Sequence, residues 1–260
     1  MTGGKRQYPW RLGATSFVVP ADMTENVRLL APLVDDVQLL FFESAAKSAL
    51  SHPLEISELI RLRQEHALSY TAHLPLDIRL GSDRRDEREA GIAEICRLVE
   101  ELSPLIPLSY DLHLLREDEL PLERWLDNLA RGLQSLAESL GAEKKMVAVE
   151  NIDYPYGLVA PLVAENGFSH CLDWGHLLRY GHDGQEALAM LPQTRHLHYH
   201  GVQGERDHQA LRDPAEAALL AEALIAADFQ GVVTLELYSL ERLSASLALL
   251  VEAWLPFMKQ

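Results

Sequence analysis

The chain has few cysteines, few basic residues for its acidic ones and no long apolar run, and each deficit removes a class of protein. Its two cysteines, Cys96 and Cys171, are too few for a disulfide framework and lack the paired spacing of a zinc-thiolate site. Both read as reduced core residues, since a buried thiol behaves as a small hydrophobe. No stretch reaches the ~20 apolar residues that a membrane span requires, and the opening MTGGKRQYPW has no apolar segment of signal-peptide type. A cytoplasmic location with no membrane partner is the expectation. Lysine and arginine number 23 against 39 aspartates and glutamates, for a formal net charge of −16. Nucleic-acid binders draw affinity from clustered cations that neutralise phosphates, so the expected partner is a small molecule and not a nucleic acid. Bound metal ions would add local positive charge that this count omits.

What is present is 260 residues, 48% of them hydrophobic, enough to bury one large core. Short apolar runs alternate with amphipathic stretches from end to end, the pattern of βα units around a parallel sheet. Strands are expected at residues 12–17, 37–43, 68–73, 108–114, 146–151, 168–173, 194–200 and 231–237. Helices are expected near 24–34, 54–66, 86–102, 121–140, 156–166, 184–191, 213–228 and 240–255, with start signals at Ser82-Asp83, Pro121 and Asp213-Pro214. Eight such pairs in this length predict an α/β fold of the (β/α)8 TIM barrel type, with residues 1–260 as one domain. An open doubly wound sheet is the alternative. The longest connection, Gly201 to Arg212, is polar and glycine-containing, and reads as a functional or mobile loop.

In a barrel, side chains at the C-terminal strand ends share one mouth. Glu43 ends the second strand in LLFFES, His73 the third in YTAHLPLD, His113 the fourth in YDLHLL and Glu150 the fifth in MVAVEN. Asp173 ends the sixth and runs into His176 in CLDWGH, His196, His198 and His200 lie on the seventh, and Glu236 ends the eighth in VTLELY. Neutral nitrogen and anionic oxygen converging from different strands suit a divalent metal of zinc or manganese type. Any one of these histidines, alone, would more often be a hydrogen-bonded core or rim residue. The set resists that explanation, because each buried charge would need its own partner.

Other positions carry blander readings. His170 has the opposite strand parity from Asp173 and reads as an outer-face residue. His52, His66 and His182 fall in helices or turns and read as solvated, and His196 as a satisfied interior histidine. Glu43 reads either as a substrate contact or as a rim carboxylate paired with a base such as Arg11. Asn151 and Asp153 are substrate or supporting contacts, or turn residues before Pro155. The run at 82–88 reads as a solvated helix start. Trp10, Phe17, Tyr156 and Trp174 fit either an apolar pocket or core packing.

With these residues in view, the chain resembles the xylose isomerase-like barrel superfamily, and within it the endonuclease IV type of three-metal phosphodiesterase, over almost its whole length. That likeness implies a first metal at His73, His113 and Glu150, with Glu150 bridging to a second at Asp173, His198 and Glu236. It implies a third at His176, Asp207 and His208. The chain departs from the pattern in its adjacent Asp207-His208, where endonuclease IV has Asp-x-His, and in Tyr199-His200 on strand seven. The segments LGATSFVVPADMTENVRLLAPLVDDVQLLFFES, YTAHLPLD, VENIDYP, CLDWGHLL and HLHYHGV…DH resemble the cobamide-remodelling phosphodiesterases more closely still. That resemblance implies cleavage of the phosphodiester joining the nucleotide loop to a corrinoid ring. It implies two or three divalent ions, zinc first, with manganese, iron or cobalt as alternatives. Glu150, Asp173 and Glu236 would be the catalytic carboxylates, with His200, Glu43, Asn151 and Asp153 toward the substrate.

The main enzymatic rival is a sugar or sugar-phosphate isomerase or epimerase, which needs one metal at Glu150, Asp173, His198 and Glu236 and leaves His73, His113 and the Asp207-His208 pair without a task. An apurinic endonuclease is opposed by the acidic charge. A corrinoid-binding sensor or carrier is the non-enzymatic reading.

Overall fold

The computed structural model describes Lys5, residues 8–44 and residues 53–257. Eight parallel strands close into a barrel: β1 (Arg11–Thr15), β2 (Asp36–Leu40), β3 (Ser69–His73), β4 (Tyr110–Leu112), β5 (Val147–Glu150), β6 (Ser169–Asp173), β7 (Thr194–Tyr199) and, after a hairpin, β10 (Val232–Leu235), which pairs back onto β1. The hairpin is β8 (Gly201–Gln203) with β9 (Arg206–Gln209). It occupies the connection expected to be an open loop. Each barrel strand runs in parallel register with its neighbours, so all eight deliver their last residues to one end.

Around the barrel lie α1 (Met23–Leu30), α2 (Pro53–His66), α3 (Arg85–Leu102), α4 (Leu122–Leu140), α5 (Ala160–Asn166), α6 (Trp174–Tyr180), α7 (Gly184–Ala189), α8 (Pro214–Ala226) and α9 (Leu240–Ala253). The first four, α8 and α9 start and stop close to the expected bounds; α6 was not expected. Asp213 caps α8 through the Ala215 amide at 2.9 Å, just before Pro214 at the first helical position. Asp83 does not cap α3. It pairs instead with Arg124 of α4 at 2.6 Å. Among the described residues, no helix is long and apolar enough to cross a membrane.

The outward faces of the strands, with Val37, Leu39, Tyr70, Ala72, Val147, Val149 and Leu197, pack under the helices and are fully buried. The interior is largely polar. Ser69 and Thr71 donate to Asp36 at 2.6 and 2.8 Å, while Ser109 donates to Asp111 at 2.7 Å. His196 joins Asp111 (2.6 Å) to Thr234 (2.7 Å), so it is the satisfied interior histidine its depth suggested. His170 faces outward as parity requires, but it is buried against the Tyr156 hydroxyl and not solvated.

Trp10 is core. It stacks on Tyr8, and Trp254 at the end of α9 meets both rings edge-on, with centroids 5.0 and 5.1 Å away. The Trp254 indole N–H donates to the Ala217 carbonyl at 2.7 Å. Trp254→Phe is expected to cost about 2 kcal/mol, because it strands that buried carbonyl and leaves a void. A urea titration against the parent protein measures this, and an unchanged midpoint would refute it.

Candidate metal centre

Strand parity places the cluster. From Thr71, two residues along β3 lead to His73; from Asp111, two lead past the end of β4 to His113; His196 leads to His198 and on to His200. These side chains thus stand one layer above the polar interior, at the barrel mouth. Asp173 does two jobs at the end of β6. Its Oδ1 accepts the His176 amide at 2.7 Å and so caps α6, which fixes where α6 presents His176.

Glu150 lies at the centre, fully buried. Its Oε2 is 3.4 Å from His73 Nε2 and 3.2 Å from His198 Nδ1, and its Oε1 is 3.2 Å from His113 Nε2 and 3.3 Å from His176 Nδ1. His198 Nδ1 is also 3.3 Å from Glu236 Oε2 and 3.8 Å from Asp173 Oδ2. The donor atoms of His73, His113 and Glu150 lie within 4.8 Å of one another, as do those of Glu150, Asp173, His198 and Glu236. These are the two sets that the sequence resemblance implied, and they share Glu150.

The donor atoms fit a divalent ion for a specific reason. Glu150 Oε1 and Oε2, Asp173 Oδ2, Glu236 Oε2, His113 Nε2 and His198 Nδ1 are buried without a hydrogen-bond partner. Several of the same side chains are held by their other atom: His73 Nδ1 lies 2.8 Å from the Leu74 carbonyl, Asp173 Oδ1 accepts the His176 amide, and Glu236 Oε1 accepts the Tyr238 hydroxyl at 2.8 Å. Buried polar atoms without partners are costly, and here they converge from rigid supports on two points. By contrast, Asp111, Cys171, His196 and His198 also come within 4.8 Å, but Asp111 and His196 already bond to each other and to Ser109, Gln38 and Thr234. The carboxylate and the His196 imidazole of that deeper group are already engaged.

Electrostatics tie the cluster together through protons. Burial alone would raise Glu150, but His113 and His198 hold its carboxyl well below the usual range. Burial opposes a charge on His176, yet Asp173 and Glu150 outweigh it and push the imidazole up to about 10. His208, likewise desolvated, is pushed up to about 9 by Glu236 and Asp173.

The third set, His176, Asp207 and His208, does not come together as expected. Asp207 turns to His208 Nδ1 (3.0 Å) and toward Arg179 (3.9 Å), and His200 takes its place beside His176 and His208. With His208 in the left-handed region, at a φ of 51°, the neighbouring Asp207 and His208 side chains meet each other, and Asp207 is not among the donors gathered with His176. Glu43 is exposed beyond the end of β2, whereas Arg11 begins β1 at the other end of the barrel, so the two do not pair. Asn151 clamps Asp173, donating to its carbonyl at 2.9 Å and accepting its amide at 2.7 Å. Asp153 is exposed. His66 and His182 are half-buried, with His182 Nε2 shielded, and His52 lies outside the described residues.

A cleft of about 90 Å³ opens onto the cluster, walled by Phe41, Phe42, Leu76 and Tyr238. Phe17 meets Phe42 edge-on at its rim (5.2 Å). Tyr156 instead lines a separate apolar cavity beside α6 and α7, and the Trp174 indole donates to Glu216 at 3.2 Å. Sequence reading missed Gln38 and Asp111. The signal was there, since Asp111 precedes His113 by two residues and so shares its face.

A family profile described as the xylose isomerase-like TIM barrel matches residues 34–253. No curated protein matches the chain. Similar solved structures include a D-tagatose 3-epimerase-like protein, with TM-score 0.79, 17% identity and coverage of 95% of this chain and 98% of that one. Another is a 3-keto-D-glucoside 4-epimerase from E. coli (0.73, 17%, 94% and 98%). A third is an AP endonuclease of family 2 from Brucella melitensis (0.68, 15%, 96% and 99%). At these identities they show the fold. Sugar epimerases recur among the similar structures.

Proposed function

Since the chain belongs to the xylose isomerase-like TIM barrel family, we propose that it is a metal-dependent phosphodiesterase acting on a small-molecule phosphodiester, with the nucleotide loop of a corrinoid as the substrate. The observation that carries this reading is the division of Glu150, whose two buried oxygens face different histidine pairs and place two donor groups side by side. His73, His113 and Glu150 would hold one ion, and Glu150, Asp173, His198 and Glu236 the other. Ions bound there supply Lewis acidity, lowering the pKa of water and offsetting charge on the attacking and leaving oxygens of an in-line displacement. In the net reaction a water oxygen forms the new bond to phosphorus, one ester P–O bond breaks, and the leaving oxygen takes up a proton.

The chain's own groups fix the geometry. Tyr238 holds one oxygen of Glu236 so that the other faces the cluster, and Asn151 and the α6 amide hold Asp173. Phe41, Phe42 and Leu76 give the cleft an apolar wall on one side. The overall charge of −16 opposes a polyanionic strand as the phosphodiester, and the segment likeness to cobamide-remodelling phosphodiesterases supports a corrinoid.

A second reading, a single-metal sugar epimerase, is favoured by the four-donor group and by the epimerases among the similar structures. It leaves the His73–His113 pair unused. The deciding experiment is metal-supplemented incubation with an adenosylated cobamide and, separately, with a panel of ketoses, products being separated by chromatography and ions counted by elemental analysis. Release of a corrinoid lacking its base, with two ions per chain, is the expected result. Ketose interconversion with one ion and an untouched cobamide would replace this reading with the epimerase.

A further inference from the structure

We propose that His200 is a fixed hydrogen-bond donor that positions Asp173, and not a metal ligand. The backbone amide of His208 donates to His200 Nδ1 at 3.0 Å, so that nitrogen carries a lone pair and no proton. A neutral imidazole has one such nitrogen, and Nε2 therefore bears the hydrogen. The approach of Nδ1 to the Gly201 carbonyl, at 3.3 Å, would demand the opposite placement. That would set two hydrogens face to face between Nδ1 and the His208 amide, so the shorter contact decides.

His200 Nε2 is buried, makes no aligned hydrogen bond and stands 3.2 Å from Asp173 Oδ1. That oxygen already accepts the His176 amide. The Nε2 proton beside Oδ1, together with the amide already bonded there, leaves Oδ2, which has no partner, as the oxygen for an ion. His200 thereby selects which face of the carboxylate the ion meets, the task that outer hydrogen bonds perform around metal ligands.

The surroundings are built for this one ring orientation. A Cβ on Gly175 would lie 2.1 to 2.4 Å from three atoms of the His200 ring, so only glycine at that point of α6 admits the imidazole. His208 adopts a φ of 51°, unusual for a side-chain-bearing residue. Arg242 anchors it by donating to its carbonyl at 3.1 Å. It follows that His176, His200 and His208, although close, lack the third lone pair of a three-nitrogen site, and that the chain takes up two ions, not three.

The inference rests on an ion being held by Glu150, Asp173, His198 and Glu236, but not on which reaction follows. Nitrogen NMR of the wild-type imidazoles, metal-free and then zinc-saturated, reads the tautomer. A proton on His200 Nε2 in both states is expected; a proton on Nδ1, or loss of the Nε2 proton on zinc loading, overturns the assignment. In parallel, zinc affinity is measured by competition with a chromophoric chelator. His200→Leu is expected to weaken it about 10- to 100-fold at an unchanged ion count, and His200→Gln, which restores an N–H donor, to recover most of the loss. One ion fewer in His200→Gln would make the residue a ligand, and wild-type affinity in a folded His200→Leu would remove the positioning role. The wild-type spectrum stands even where a variant fails to fold, and its metal-free half separates this inference from the failure of the metal-dependent reading.

Discussion

Glu150→Gln is expected to lower turnover on the order of 10^3- to 10^4-fold, or about 4 to 5.5 kcal/mol of transition-state stabilisation, while leaving a folded barrel. Glutamine fills nearly the same volume, so packing around β5 is kept. What changes is the chemistry at two points. One carboxylate oxygen becomes an NH2 group that accepts nothing, and it replaces an oxygen lying either 3.2 and 3.3 Å from His113 and His176 or 3.4 and 3.2 Å from His73 and His198. Either donor group is then one ligand short, and the negative charge shared between them is gone. Turnover on the adenosylated cobamide and ion content should therefore fall together, with far-ultraviolet circular dichroism unchanged. Two ions per chain and parent-like turnover in this variant would defeat the bridging role. Loss of one ion with turnover intact would point to a single-ion reaction.

The parts of this site that were legible in the sequence follow one rule, the period of two along a strand. His73, Glu150, Asp173 and Glu236 end apolar runs whose other residues are buried, so a polar residue there was conspicuous. The same period reaches back from His113 to Asp111 and from His198 to His196, but inside the barrel it yields a hydrogen-bonded network in which the Asp111 carboxylate and the His196 ring are already engaged. Sequence cannot show satisfaction, since the partner of Asp111 is 85 residues away on β7. Helix α6 was missed because its seven residues include Gly175 and overlap the strand-ending motif. The glycine that weakens the helix signal is the one that His200 requires. The β8–β9 hairpin was read as a loop because its strands are short, polar and irregular in register, with no apolar alternation to mark them. That miss carried the third donor set with it, as the facing of Asp207 and His208 depends on the hairpin.

The metal-free protein is expected to lose thermal stability as pH rises from about 7 to about 10, and the zinc-loaded protein is expected to keep it. Unfolded histidine titrates near ~6.5, whereas in the folded chain Asp173 and Glu150, overcoming burial, push His176 up to about 10, and Glu236 and Asp173 push His208 up to about 9. A folded pKa above the unfolded one stabilises fully below the unfolded value and is lost as pH climbs through the folded value, so the window runs from ~6.5 to about 10. Glu150 has the opposite sign, being held low by His113 and His198 against its burial. Its contribution is present above ~4.3 and is lost only in acid, outside this window. Above neutrality, then, protons leave the imidazoles while the buried carboxylates remain charged, and the fold loses on the order of a few kcal/mol, a fall of about 10 °C in Tm for a chain of this size. Zinc changes the balance because its charge takes the place of those protons beside Glu150, Asp173 and Glu236. Loading at pH 7 should accordingly release protons into a weakly buffered solution, and the Tm of the loaded protein should be nearly flat across the window. Parallel pH profiles with and without zinc, or loading with no proton release, would mean that the carboxylates and imidazoles at the mouth do not share their charge in the way their distances imply.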